Sequence, residues 1–387
     1  MTLAHRRKMP SAGGQSNWGY QKNSMSKEIN NKVTDWTRAH AEGRIGRRQW
    51  LKLMLTCGLS LPAIARLLES ATASDTKGLR IYMVPKFTGF IFFELAKAGG
   101  EQAVKELGAT LTYVGTTTAD VEGQVQVLQN LIPQKPDGIV TAALDINAPV
   151  PALKQARSRG AVVVTFDADV AEPGRNLFVN MAPFEIQAKA MLECALANAP
   201  DGGKAIWVAP TPTVANFISQ KKALDDQIAS NPKYKSIQFV DTLYANDDPD
   251  KSYSLASSAM QAYPDLKFFI SGSGISNPAI NKAIMDTKRS GQMFSTGFAL
   301  PSTMKTYLDD GTCKQFALWS PYKFGYMATY LAILLKAGTV QNQQSTEVDV
   351  PTIGKRTIEA HSTINLNSML FFTKEHPDFD NAVPANL

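Results

Sequence analysis

Seven residues suited to holding a small polar molecule stand at the ends of apolar, strand-length runs or at the starts of the helices that follow them: Lys86, Asp145, Asp167, Asn216 and Trp319, with Phe92 and Phe93. Carboxylates, an amide and a cation hydrogen-bond hydroxyl groups, while aromatic rings cover the C–H faces of a polyol. Each residue also has a plainer reading. Phe92 and Phe93 suit the core face of an amphipathic helix, Asp167 a cap for the next turn, Asp145 a loop carboxylate and Trp319 simple core. The residues that catalysis needs are scarce. Of the four histidines, His5 and His40 lie in a basic N-terminal segment and His361 and His376 in the tail, so triads and zinc-ligand sets have little material. Gly272-Ser273-Gly274 is glycine-rich but lacks a phosphate-loop lysine and reads as a tight turn. No enzyme activity, metal or cofactor is expected.

The elements that would position these residues alternate. Leu79–Val84 is an apolar run of strand length, and a helical pattern begins at Phe93 and continues to Leu107. Strands at 110–114, 138–142 and 161–166 follow, with helices at 121–132, where Asp120 is the expected N-cap, and 149–159. A second series has the same rhythm: helix 184–199, strand 205–209, helix 214–230, strand 237–240, helix 251–262, strand 267–270, helix 275–288 and strand 293–296. Short apolar strands joined by helices indicate parallel sheets covered on both faces, and two such series indicate two lobes. A strand at 315–319, a helix opened by Pro321 and a polar tail from Gln341 complete the chain.

The charge is uneven. Overall it is +6, but residues 1–73 hold 12 Lys/Arg against 4 Asp/Glu, and residues 74–387 hold 28 against 30. The body is therefore mildly acidic and offers no basic footprint for nucleic acid. The basic segment reads as an export leader: Gly46-Arg47-Arg48-Gln49-Trp50-Leu51-Lys52 is a twin-arginine pattern, followed by an apolar stretch from Leu53 to Leu68 and by the small-x-small signal Ala71-Thr72-Ala73. Pro62 and Arg66 interrupt that stretch, against a retained membrane anchor. A start at Met25 would give a leader of ordinary length. Cys57 lies in the leader in a poor lipid-attachment context; Cys194 and Cys313 are too far apart for a metal motif, and an oxidising compartment permits a disulfide between them without implying one.

Over residues 79–375 the chain resembles the periplasmic solute-binding proteins of ABC sugar importers, of the ribose-binding type, and most of all the rhamnose- and autoinducer-2-binding branch. The resemblance is carried by Pro85-Lys86 with Gly89-x-x-Phe92-Phe93, Glu122-Gly123-Gln124, Pro151-Ala152-Leu153-Lys154, Thr165-Phe166-Asp167-Ala168-Asp169, Pro212-Thr213-Val214 and Ala317-Leu318-Trp319. It implies two Rossmann-like lobes joined by a three-stranded hinge, and a monomer that closes on a small sugar or polyol and delivers it to an ABC transporter permease. The implied division is a leader at 1–73, a first lobe of 74–169 and 320–340, a second lobe of 170–319, and a tail at 341–387 crossing the hinge. Lys86 and Asp167 match positions that hold the ligand in the autoinducer-2 binders, and Phe92 and Phe93 match the aromatic positions of the family's first helix. The second lobe departs from the autoinducer-2 pattern: Ala215-Asn216 replaces an Asp-Gln pair, Gly272-Ser273-Gly274 replaces Pro-Asp-Ala and brings Gly274 to the site, and Ser320 replaces an Asp. The ligand expected is thus a different pentose, deoxyhexose or polyol.

Overall fold

The computed structural model describes residues 76–375, helix α1 (Arg47–Thr56) and a few positions between 32 and 39. The chain divides into two compact units, residues 1–75 and 76–387. In the first unit α1 contains Arg47 and Arg48. The rest of the apolar stretch with Cys57, the signal at 71–73, His5, Met25 and His40 lie outside the described residues, as does His376. Among the described residues no helix is long and apolar enough to cross a membrane.

The second unit is built on β1 (Arg80–Val84), α2 (Ile91–Leu107), β2 (Thr110–Tyr113), α3 (Val121–Leu131), β3 (Gly138–Thr141), α4 (Val150–Ser158), β4 (Val162–Phe166) and β5 (Leu177–Asn180). Strands β1, β3 and β4 are apolar along their length because helices cover both faces of the sheet, and from Ile81 onward β1 is wholly buried. Asp120 caps α3 by accepting the Glu122 N–H. The second lobe follows as α5 (Phe184–Asn198), β6 (Gly203–Ala209), α6 (Ala215–Ser230), β7 (Ile237–Tyr244), α7 (Pro249–Ala262), β8 (Leu266–Ser271), α8 (Ser276–Asp286), β9 (Phe294–Gly297), α9 (Pro301–Asp309) and β10 (Gln315–Leu318). The chain ends in α10 (Pro321–Lys336), β11 (Glu347–Val350), β12 (Gly354–Glu359), β13 (Thr363–Asn365) and β14 (Leu370–Thr373).

Two sheets result. The first has the order β11-β12-β13-β5-β4-β3-β1-β2 and is parallel from β13 to β2; the second has the order β7-β6-β8-β9, all parallel. Strand β5 corrects the reading that residues 170–319 are all second lobe. It pairs in parallel with β4, since the short turn at 172–174 returns the chain alongside it and the Asn176 side chain accepts the Val163 N–H. The chain crosses between lobes after Asn180, again between Leu318 and Pro321, and a third time after Asn365, where β14 pairs antiparallel with β10. Helix α10 returns to the first lobe and lies against α2 so closely that a methyl group on Gly99 or Gly325 would overlap the backbone of the other helix. Helix α9 and the β11–β12 hairpin were not expected from sequence. The hairpin alternates buried and exposed residues over only four positions in β11, too short a pattern to stand out in a polar tail.

Candidate functional site

At the carboxyl end of β1, Pro85 turns the chain and Lys86 enters the protein, 4% exposed. Its position is fixed by the buried amide of Gln124, whose Nε2 donates to the carbonyls of Pro85 and Ala142, each at 2.8 Å, and whose Oε1 accepts the Leu144 N–H at 2.9 Å. The Glu122-Gly123-Gln124 motif thus ties the loops after β1 and β3 together. At the end of β4, separated from β1 by β3, Asp167 has a left-handed backbone with φ 61°, and the Ala168 N–H reaches back to the Phe166 carbonyl at 2.7 Å. That tight, strained turn aims the carboxylate sideways. Lys86 Nζ and Asp167 Oδ2 lie 2.8 Å apart in a nearly buried ion pair.

Around this pair lies a cavity with about 490 Å³ of empty space, part of it open to solvent. Phe92 and Phe93 project from the first turns of α2, and their rings meet edge to face at 5.2 Å. Trp319, on the second crossing, stands edge-on to Phe92 at 5.9 Å. All three side chains are buried core residues, as the plainer reading has it, and all three also line the cavity. Asn216 opens α6 and Gly274 opens the turn into α8, where a methyl group on Gly274 would sit 3.5 Å from Phe90 of the first lobe. Asn216 Oδ1 and Trp319 Nε1 are buried without a hydrogen-bond partner among the described residues. Groups left in that state cost stability unless something else completes them.

Seven of the eight residues singled out from sequence line this cavity; Asp145 does not. Its Oδ1 accepts the N–H groups of Asn147 and Ala148 at 2.7 and 2.8 Å, so the carboxylate caps its own loop, as the plainer reading had it. Several lining residues were missed. Phe87, Phe90 and Leu300 extend the apolar wall, and Phe217 of the second lobe places its ring 5.6 Å from Lys86 Nζ. Ser273 and Asp247 add polar groups, with the Ser273 hydroxyl donating to Asp247 Oδ1 at 2.7 Å. The sequence Asp247-Asp248-Pro249 looks like a helix start. Asp248 does cap α7, and it is the left-handed backbone at Asn246 and Asp247, with φ 57° and 50°, that turns Asp247 to the cavity. Asp247 is partly buried, and it lines the cavity opposite Lys86 and Asp167. Burial raises its pKa, with Asp167 adding to the rise and Lys86 and the Ser273 bond opposing it.

Two α/β lobes, three crossings and a cavity lined by polar groups and rings from both sides define a bilobal ligand-binding protein. Residues 81–339 match the family model described as periplasmic binding protein domain. A sugar ABC transporter protein of Actinomyces odontolyticus is 31% identical, the match covering 79% of this chain and 97% of that one, with a TM-score of 0.64. A solute-binding protein of an ABC transporter from Clostridium phytofermentas, with bound L-rhamnose, is 24% identical over 79% of this chain and 98% of its own, with a TM-score of 0.75. The D-ribose/D-allose-binding protein of Pseudomonas aeruginosa is 25% identical over 320 residues, 79% of this chain and 96% of that protein. The chain belongs to the periplasmic binding protein family, among the type I sugar-binding proteins of ABC importers. This is a family of non-enzymatic, periplasmic binding proteins.

Proposed function

We propose that the chain is an exported receptor, acting as a monomer, that captures a small sugar or sugar-like molecule between its lobes and delivers it to an ABC transporter permease without altering it. Residues 1–73 serve as the leader and the twin-arginine pair selects the export route. The observation that carries this reading is the composition of the cavity: a buried Lys86–Asp167 pair, the unpartnered Asn216 Oδ1 and Trp319 Nε1, and aromatic rings on facing sides. A pentose, deoxyhexose or polyol supplies hydroxyls for the first two and C–H faces for the third. Lys86, Phe92, Phe93, Asp167, Asn216, Gly274 and Trp319 are the ligand-contacting residues, joined by Asp247. Closure follows because only the closed form touches the ligand from both lobes.

Thermal-shift screening of residues 74–387 against pentoses, deoxyhexoses, polyols and autoinducer-2 tests the proposal. One compound class is expected to raise the midpoint strongly, because a ligand that binds only the folded state stabilises it. A flat panel together with turnover of any of these sugars overturns it. Export is tested separately: Arg47→Lys with Arg48→Lys should leave precursor in the cytoplasm, and normal export of that variant rejects the twin-arginine route.

A further inference from the structure

The cavity sets one ammonium against two carboxylates. Asp167 meets Lys86 from the same lobe at 2.8 Å, and Asp247 reaches the cavity from the other lobe, on the turn between β7 and α7. The charged groups facing Asp247 are Lys86 and Asp167, both from the first lobe; the Gly272–Gly274 loop packed beside it brings only the neutral Ser273 hydroxyl. Its neighbour Asp248 is turned away, accepting the Lys251 N–H at 2.7 Å. With all three groups ionised the cavity would hold a net negative charge walled by Phe87, Phe90, Phe92 and Phe217, where no further cation offsets it among the described residues. An uncompensated buried charge is the most expensive of the available arrangements, and a single proton removes it.

We infer that Asp247 is the residue by which the second lobe selects an uncharged sugar, and that it does so as a carboxylic acid, with Oδ1 held by Ser273 and the Oδ2 proton donated to a ligand oxygen. The proton comes from solvent as the lobes seal the cavity. The upward direction of the Asp247 carboxyl in the ligand-free protein agrees with this. The inference rests on the reading of the cavity as a sugar site, and it adds a linkage: binding takes up as much as one proton. Affinity therefore falls as pH rises between the carboxyl's pKa in the free protein and its higher pKa in the complex, by up to about tenfold per pH unit, and is flat outside that window.

Calorimetric titration with D-ribose, D-allose and L-rhamnose, in buffers of different ionisation enthalpy from about pH 5 to 8, measures the linkage directly. The sugar that binds should show proton uptake and a declining affinity, and Asp247→Asn should lose both. A pH-independent affinity with no proton uptake in the parent protein overturns the inference. A second arm needs no sugar. A carboxyl whose pKa is raised in the folded state binds more protons folded than unfolded, so stability falls as pH rises between the two values. The thermal midpoint of Asp247→Asn should thus gain on the parent as pH rises above the ordinary carboxylate range. A constant gap between the two proteins sinks the protonation claim whatever binds. A widening gap with none of the three sugars bound supports it, and rejects only these three as the ligand.

Discussion

The two halves of the cavity are built to different degrees of completion. In the first lobe the functional groups satisfy one another. Lys86 has Asp167, the loop that carries Lys86 is held by Gln124, and Phe92 and Phe93 continue directly into the core. On the facing side, polar atoms are left waiting. Asn216 Oδ1 and, at the crossing, Trp319 Nε1 have no partner among the described residues, and Gln220 Oε1 behind Gly272 is in the same state. The difference separates two tasks. A half that is complete without ligand can anchor any molecule of the right class. A half that only a ligand completes pays a penalty for the wrong one, and so decides identity.

The largest effect that tests this contrast is on the anchoring half. Asp167→Leu leaves the Lys86 ammonium buried without its partner, which should lower stability by about 3–5 kcal/mol in chemical unfolding. Adding Lys86→Met should restore most of that loss, and neither variant should bind sugar. Unchanged stability in Asp167→Leu would show that Asp247 takes over the pairing and that the first half is not self-contained.

Substitutions on the other side should invert that pattern. Asn216→Ala removes an unsatisfied buried group, so the free protein should keep or raise its thermal midpoint, while affinity drops about tenfold, equivalent to about 1.4 kcal/mol. Trp319→Phe keeps a ring against Phe92, Phe298 and Phe324 but deletes the idle N–H. It should weaken binding by a similar factor and abolish the ligand-dependent change in tryptophan fluorescence, leaving Trp207 as the remaining signal in the lobes. A large loss of stability in Asn216→Ala would mean that the second half is as finished as the first.

This asymmetry also explains what could be read from sequence. Parallel strands covered on both faces are unbroken apolar runs, so the alternation of β1 to β4 and of the second series was visible. Lys86 and Asp167 were legible because each lies within two residues of the end of such a strand. Asp247 follows a strand with a single buried residue, and its direction depends on two left-handed residues that no local pattern announces. Phe217 is the third residue of a helix of ordinary composition, and only the closeness of the lobes turns its ring into a wall for Lys86. Asp145 shows the opposite error. A carboxylate after a strand reads as pointing to the site, yet the free N–H groups of the next turn are nearer and claim it.

The smallest expected effect belongs to Asp145, at the rim where the lobes meet outside the cavity. The Ile146 N–H donates to the Thr213 carbonyl across the cleft at 3.2 Å, and the Thr213 hydroxyl bonds the Asp145 carboxylate. Partial burial opposes ionisation of Asp145, but the bonds from Ala148, Asn147 and Thr213 outweigh it and hold the carboxyl below its ordinary range. The tie is therefore complete at pH values above the ordinary carboxylate pKa, and is lost only as pH falls through the lower folded value. Because it joins the lobes only when they are closed, Asp145→Ala should cost the closed form about 0.5–1 kcal/mol and reduce every affinity by the same factor, about two- to fivefold. Uniformity distinguishes rim from cavity: in calorimetry the sugars should keep their ranking in Asp145→Ala and change it in Asn216→Ala. A reordered ranking in Asp145→Ala would place that carboxylate in contact with the ligand, and the division between anchoring and discriminating halves would have to be redrawn around it.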